Sequence, residues 1–344
     1  MTWHPLVWAF WVAAATGGLL YATGAVQAVD VMLNWAPARA DIDQLRREHR
    51  AETAMLLGRW SLGCLTAAAL LGLVGIAGVW HQMIPGAMCG TGVLQAMGTD
   101  GSRAMIFWGL TLIVLYGWRV LDGLDSHHPQ GVLTQAAARV MLCAAPFFVL
   151  AVCFSWQALM RVENVPPVSC CAAVYDQVLT SAFESTVIKS LVPVCLGFSL
   201  VGSAALLALA VTAIRSPHRT SGAIMAIIAT LWGIAAMVAV KQVWSAYYYQ
   251  VLSHPCPWCL FLPDYYGAGF IIFGCMAVVV MESIALWLAA RIRCRYPVLT
   301  DPACKRIRRS AWRIAIVLVV FTVLTAGPAI AWRLRTGVWL NGSP

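Results

Sequence analysis

Eight stretches of this chain are apolar over about the twenty residues that a helix needs to cross a bilayer. They cover residues 6–28, 54–80, 104–121, 136–160, 187–214, 222–247, 259–290 and 311–332. A water-soluble domain carries charge on roughly a quarter of its residues. Here 11% are charged and 61% hydrophobic, and the mean hydropathy is +0.77. The expected fold class is therefore all-α, a polytopic integral membrane protein of about eight transmembrane helices. The first run ends in Val26-Gln27-Ala28, a small-residue pattern like that of a cleavage site, but no Lys or Arg precedes it. It is read as an anchor helix and not as a cleaved signal.

The formal charge of +9 would suit nucleic acid if it were spread over a soluble surface, but it is gathered into loops. Arg39, Arg46, Arg47 and Arg50 share one connection, and Arg215 and Arg219 another. Arg291, Arg293, Arg295, Lys305, Arg306, Arg308 and Arg309 share a third. With these crossings all three fall on one side, which the positive-inside rule makes the cytoplasm. The expectation is a bacterial inner membrane protein in contact with lipid, with both termini periplasmic and no nucleic-acid partner. Arg333 and Arg335, at the outer end of the last run, go against the rule. Between the first two runs, Pro37 and the charged residues 38–47 read as a short surface helix with no chemistry.

Three polar stretches invite a choice between chemistry and ordinary structure. His81, Met83, Met88 and Cys89 share one outer loop and would suit a soft metal, but the glycine-rich turn is the preferred reading. Asp122, Asp125, His127 and His128 precede Pro129, and a polar turn is preferred there over a metal site. Lys241, Gln242, Trp244 and the tyrosines after them read first as an aromatic belt with a snorkelling lysine. The sharper alternative has Lys241, Gln242, Trp244 and Tyr265 bordering a quinone headgroup, which needs polar donors beside an apolar wall.

The twelve cysteines divide more sharply. Cys64, Cys143, Cys153, Cys195 and Cys275 fall within apolar runs, and Cys294 and Cys304 in the basic loop. These seven are read as small hydrophobes or unreactive thiols. The other five, Cys89, Cys170, Cys171, Cys256 and Cys259, occupy three successive outer loops that follow Trp80, Trp156 and Trp244. Cys256-Pro257-Trp258-Cys259 is expected on the first turn of a long helix, where the dipole favours a thiolate and the thiols can bridge. Pro255 and Pro257 suit such a start. Cys256 is taken as the more exposed sulfur, which attacks or is attacked, and Cys259 as the deeper one.

An outer-loop cysteine pair, two helices, then Cys-x-x-Cys opening the next helix from outside: this order is similar to that of the vitamin K epoxide reductase family. The related DsbB family uses the same parts in another order. The resemblance covers residues 136–290 and implies a four-helix redox bundle. It makes Cys170 and Cys171 the shuttle to a periplasmic thioredoxin-like or other redox protein. It places Cys256 and Cys259 next to a membrane quinone, the implied cofactor. The chain departs from the family in having Cys170 and Cys171 adjacent, so a bridge from either of them to Cys89 stays open.

Around that bundle, residues 1–53 form a first helix and connector, 54–135 an extra hairpin carrying Cys89, and 291–344 a basic loop and last helix. Two other functions compete. One is soft-metal binding or transport of copper, zinc or an iron–sulfur cluster by the five outer cysteines, although no metal ligand is assigned. The other is a membrane subunit of a larger respiratory complex. All seven histidines lie in loops or at helix ends and no Cys-x-x-Cys-His occurs, so covalent haem is not expected.

Overall fold

The fold is given by a computed structural model that describes residues 3–36, 41–128, 130–163, 166–168, 182–251 and 256–340. Cys170, Cys171 and His254 lie outside the described residues. Among those described there is no strand. Eight helical segments are long and apolar enough to span a membrane: Pro5–Asn34, Ile42–Met83, Gly90–Asp125, Thr134–Val162, Leu191–Arg215, Gly222–Tyr249, Ala268–Arg295 and Pro297–Thr336. The protein is an all-α, multi-pass membrane protein.

The chain divides into two compact units. One comprises residues 1–85, 93–168 and 292–303, the other residues 86–92, 169–291 and 304–344. The bundle expected at 136–290 cuts across them, since its first helix belongs to the first unit.

In the first unit the opening span shows how such helices pack. Its buried residues Val7, Phe10, Ala14, Gly17, Tyr21, Gly24, Ala28 and Val31 recur every three or four positions and form one inward stripe. Trp8, Val12, Leu19 and Val26 are exposed on the remaining faces, as in a helix that touches lipid. Lipid is as apolar as leucine, so close packing and hydrogen bonds must hold the helices together. Gly17 supplies the close approach: a Cβ there would lie 2.8 Å from Leu65 Cδ2. Ser61 Oγ donates to the Gly17 carbonyl at 2.8 Å, and Tyr21 reaches the Met141 carbonyl at 2.6 Å.

Two expectations about connections change. The charged residues from Asp41 onward do not form a separate surface helix. Asp41 caps the chain by accepting from the Gln44 amide at 2.7 Å, and the helix then runs unbroken from Ile42 to Val74. Nothing in that stretch breaks a helix, so charged and apolar turns join. Likewise the basic segment 291–310 is mostly helical: one helix continues to Arg295, a single 3-10 turn spans Pro297–Leu299, and the next helix starts at Thr300.

The polar turn after the third span proves structural. Arg59 grips the Asp122 carboxylate at 2.8 and 3.0 Å, and Arg119 adds a contact at 3.0 Å. Asp125 accepts from the Leu133 amide and the Thr134 hydroxyl, both at 2.6 Å. The His127 ring meets the Gly123 carbonyl at 2.9 Å. Both carboxylates are thus engaged in tying helices together.

The second unit uses the same device. Glu282, in the middle of the seventh span, is 4% exposed at its side chain. It accepts from Arg306 at 3.0 Å, Ser310 at 2.8 Å and Arg313 at 2.5 Å. Trp232 is fully buried, with its indole N–H between Ser203 Oγ at 2.8 Å and the Ser199 carbonyl at 3.1 Å. Gly222 lets its helix meet the seventh span, because a Cβ there would lie 2.6 Å from the Trp287 Cα.

Candidate thiol site

The site lies in the second unit, where helical regularity fails. The sixth span loosens into a π turn at Val240–Trp244, resumes over Ser245–Tyr249 and stops at Gln250, whose φ of 56° is left-handed. Cys256 is extended and leads into two 3-10 turns, Pro257–Phe261 and Pro263–Tyr265. Left-handed Tyr266 and Gly267 follow, and the α-helix begins only at Ala268. The Cys-x-x-Cys motif is therefore not on the first turn of the long helix. Pro263 and the two left-handed residues keep the turn from propagating, so the dipole of that helix does not act on the thiols. Cys256 instead takes the N-cap position of the first 3-10 turn, and that turn brings Cys259 back toward it.

Cys89 completes the group. It lies immediately before the third span, with its carbonyl accepting from the Gly92 amide at 3.0 Å. Its sulfur is 3.5 Å from that of Cys256, although 167 residues separate the two. The sulfurs of Cys89, Cys256 and Cys259 all lie within 4.8 Å of one another, the one such cluster of potential metal-binding groups among the described residues. The Thr91 hydroxyl is 3.2 Å from the Cys256 sulfur.

Packing fixes this arrangement. Gly90 faces the indole of Trp258, and a Cβ there would come within 2.6 Å of the ring. Trp258 and Leu262 cover the buried pair Cys89 and Cys256. Phe261 anchors the turn from below, with ring centroids 4.9 Å from Phe270 and 5.4 Å from Phe273. Tyr249 O–H donates to the Cys256 carbonyl at 2.6 Å, and the Tyr265 ring meets Tyr249 edge-on at 4.7 Å.

The exposure order is the reverse of the one expected: Cys256 is 1% exposed and Cys89 2%, whereas Cys259 is half-buried. Electrostatics distinguish them further. Hydrogen bonds from the Cys259 and Cys89 thiols, with the Thr91 hydroxyl, hold the Cys256 thiol well below the usual range. Cys89 and Cys259 are pushed up, each chiefly through its hydrogen bond to Cys256. The middle sulfur is thus the one that carries negative charge in a reduced cluster.

Of the five outer cysteines, three come together and Cys170 and Cys171 fall outside the described residues. Of the four residues expected around a quinone, Tyr265 adjoins the cluster. Burial raises its phenol. Trp244 is buried on the π turn, Gln242 is half-buried, and Lys241 is exposed with no ion pair among the described residues. An apolar cavity of about 280 Å³ in the first unit, bordered by Phe10, Trp80 and Trp108, includes none of the four. The remaining thiols are less uniform than expected: Cys143, Cys153 and Cys294 are exposed, and buried Cys304 contacts His218 Nδ1 at 3.4 Å.

Sequence reasoning missed Thr91, Trp258 as the cover on Gly90, and Glu282. Only Glu282 carried a readable signal, as an acidic residue in the middle of an apolar run. Compared with protein-family models, with curated proteins and with solved structures, the chain matches none.

Proposed function

We propose that this protein is a membrane thiol–disulfide oxidoreductase that exchanges disulfides with a soluble redox partner and electrons with a membrane quinone. The observation that carries the reading is the convergence of Cys89, Cys256 and Cys259 on one another. The order of motifs it shares with vitamin K epoxide reductases supports it. The basic residues gathered at the opposite loops support a bacterial inner membrane setting with the thiols and both termini on the periplasmic side.

The chemistry follows from burial and charge. With Cys256 and Cys259 bridged, a partner thiolate attacks the sulfur of half-buried Cys259. The S–S bond breaks and Cys256 leaves as a thiolate, a good leaving group because Cys89 and Thr91 hydrogen-bond to it. A second partner thiol then attacks the partner sulfur of the mixed disulfide and releases Cys259. The partner ends as a disulfide and the chain as a dithiol, with two electrons transferred. Cys89 gains a role in the same terms. Its thiolate can attack Cys256 and expel Cys259, which moves the bridge to Cys89–Cys256 without net oxidation.

A bound quinone would accept two electrons and two protons from the dithiol. Among this chain's residues Tyr265 fits a place beside it, being next to both Cys259 and Tyr249. Exposed Lys241 does not fit a closed headgroup pocket.

The test is to trap thiols in purified protein with a maleimide mass tag, before and after a quinone analogue and a reduced thioredoxin-like protein. Cys256 and Cys259 should lose two tags with quinone and regain them with the reduced partner. If the pair keeps one oxidation state through both treatments, the reading is wrong.

A further inference from the structure

The cluster has a property that disulfide exchange does not need. Two cysteines suffice for exchange, yet three sulfurs from two distant segments meet here. We propose that the reduced cluster is also a three-sulfur site for copper(I), and that copper bound there arrests exchange. The binding rests on the sulfur geometry alone, whereas the arrest rests on the oxidoreductase reading above.

A cation held by three thiolates at about 2.3 Å each would set the sulfurs about 4 Å apart in a plane. Cys89 and Cys256 stand at 3.5 Å and every pair lies within 4.8 Å, so small side-chain rotations reach that geometry with the backbone in place. The donors are all sulfur, which selects soft cations. Zinc favours four ligands in a tetrahedron, whereas the three sulfurs here form a trigonal set. Three-coordination by soft donors is what copper(I) tolerates best among these metals.

The surroundings match. Trp258 and Leu262 shield the buried pair from water. Thr91 places a hydroxyl 3.2 Å from the Cys256 sulfur, the kind of outer hydrogen bond that orients and tunes a ligand. Ligation and oxidation exclude each other, because either bridge, Cys256–Cys259 or Cys89–Cys256, removes two of the three ligands. Binding itself transfers no electrons: the metal enters as copper(I) and the sulfurs stay reduced.

The experiment uses full-length protein in detergent, reduced and kept anaerobic, in a Cys170→Ser/Cys171→Ser background that removes an adjacent pair from the titration. Copper(I) is titrated against a chromophoric chelator, and X-ray absorption counts the sulfurs around it. The expected result is one tightly held copper per chain with three sulfur neighbours, and affinity at least about tenfold weaker in Cys89→Ser. Two sulfur neighbours, or an affinity unchanged by Cys89→Ser, would overturn the site. The sulfur count needs no change at the cluster, so a poorly folded Cys89→Ser cannot hide the answer. Quinone-driven tag loss is then measured with and without copper. Loss that proceeds equally in both overturns the arrest. Absence of loss in copper-free protein is instead a failure of the oxidoreductase reading and leaves the site standing or falling by its sulfur count.

Discussion

Each unit has a buried carboxylate clamped by two arginines, Asp122 by Arg59 and Arg119 in the first, Glu282 by Arg306 and Arg313 in the second. An ionised group inside a membrane protein is usually read as functional, but a device that appears in both units and ties one helix to another through its carboxylate serves the fold. The units part company in their irregular segments. The first has a π turn at Gly75–Val79 and a 3-10 turn at Trp80–Met83, and among the described residues no cluster of ligating groups gathers there. Between Val240 and Gly267 the described residues of the second have a π turn, two 3-10 turns and two successive left-handed residues, and there three thiols converge. The thiols gather at the break in helical order and not at the buried charge.

The strongest way to break that contrast is to remove its centre. Cys256→Ser should lower the exchange rate at least about a thousandfold, as removal of a reacting nucleophile does, while Cys304→Ser should leave it unchanged. Both are read as the rate of mass-tag loss after mixing with quinone. Exchange that survives in Cys256→Ser through Cys89 and Cys259 would move the centre of the site.

The clamps should behave in the opposite way. Glu282→Gln and Asp122→Asn each strand two arginines, and a fully buried pair broken so costs about 3–5 kcal/mol. Arg313 and Arg59 are 50% and 43% exposed, so solvent screens part of this and about 2–3 kcal/mol is expected for each. Denaturant unfolding in detergent measures it. Exchange per folded molecule should stay at the wild-type rate in both. A collapse of exchange in Glu282→Gln with stability intact would make that carboxylate part of the chemistry.

How far the sequence could be read follows the same division. Hydropathy located all eight spans because it averages over a bilayer's thickness, but for that reason it misplaced their ends. Apolar content falls away at Ile42 and Thr300 while the helices continue through charged turns. The Cys-x-x-Cys motif and its company of outer-loop cysteines were legible as residue types. The contact of Cys89 with Cys256 was not, because it depends on how two remote segments pack, with Gly90 against Trp258. The exposure order of Cys256 and Cys259 came out reversed because an α-helical start was assumed where Pro263, Tyr266 and Gly267 impose 3-10 turns. Glu282 was there to be noticed.

Gly90 offers a finer cut. Gly90→Ala places a methyl 2.6 Å from the Trp258 ring, and overpacking of this kind costs about 1–3 kcal/mol. Displaced by about an ångström, the Cys259 turn should slow exchange roughly ten- to a hundredfold. Gly63, in the first unit, has nothing within 4 Å of an added Cβ, so Gly63→Ala should stay within about 0.5 kcal/mol of wild type. The pair is compared by unfolding and by the rate at which a small alkylating reagent labels Cys259. If both glycines tolerate alanine equally, packing against Trp258 is not what holds the thiols together.

The smallest effect is expected at Lys241, which divides the two readings of the sixth span's end. It lies exposed on a π turn and pairs with no acid among the described residues, as a lysine does whose stem follows apolar surface to the headgroups. Lys241→Met should therefore change the quinone KM of exchange by no more than about twofold, the size of a surface substitution of 0.5 kcal/mol. Tyr265→Phe, at the phenol beside Cys259, should raise it more, since a hydrogen bond to a bound carbonyl contributes about 1 kcal/mol, or roughly fivefold. Should the order be inverted, with Lys241→Met the more damaging, the quinone would sit along the sixth span and away from the thiols. The irregular turns would then hold the sulfurs without also holding their electron acceptor.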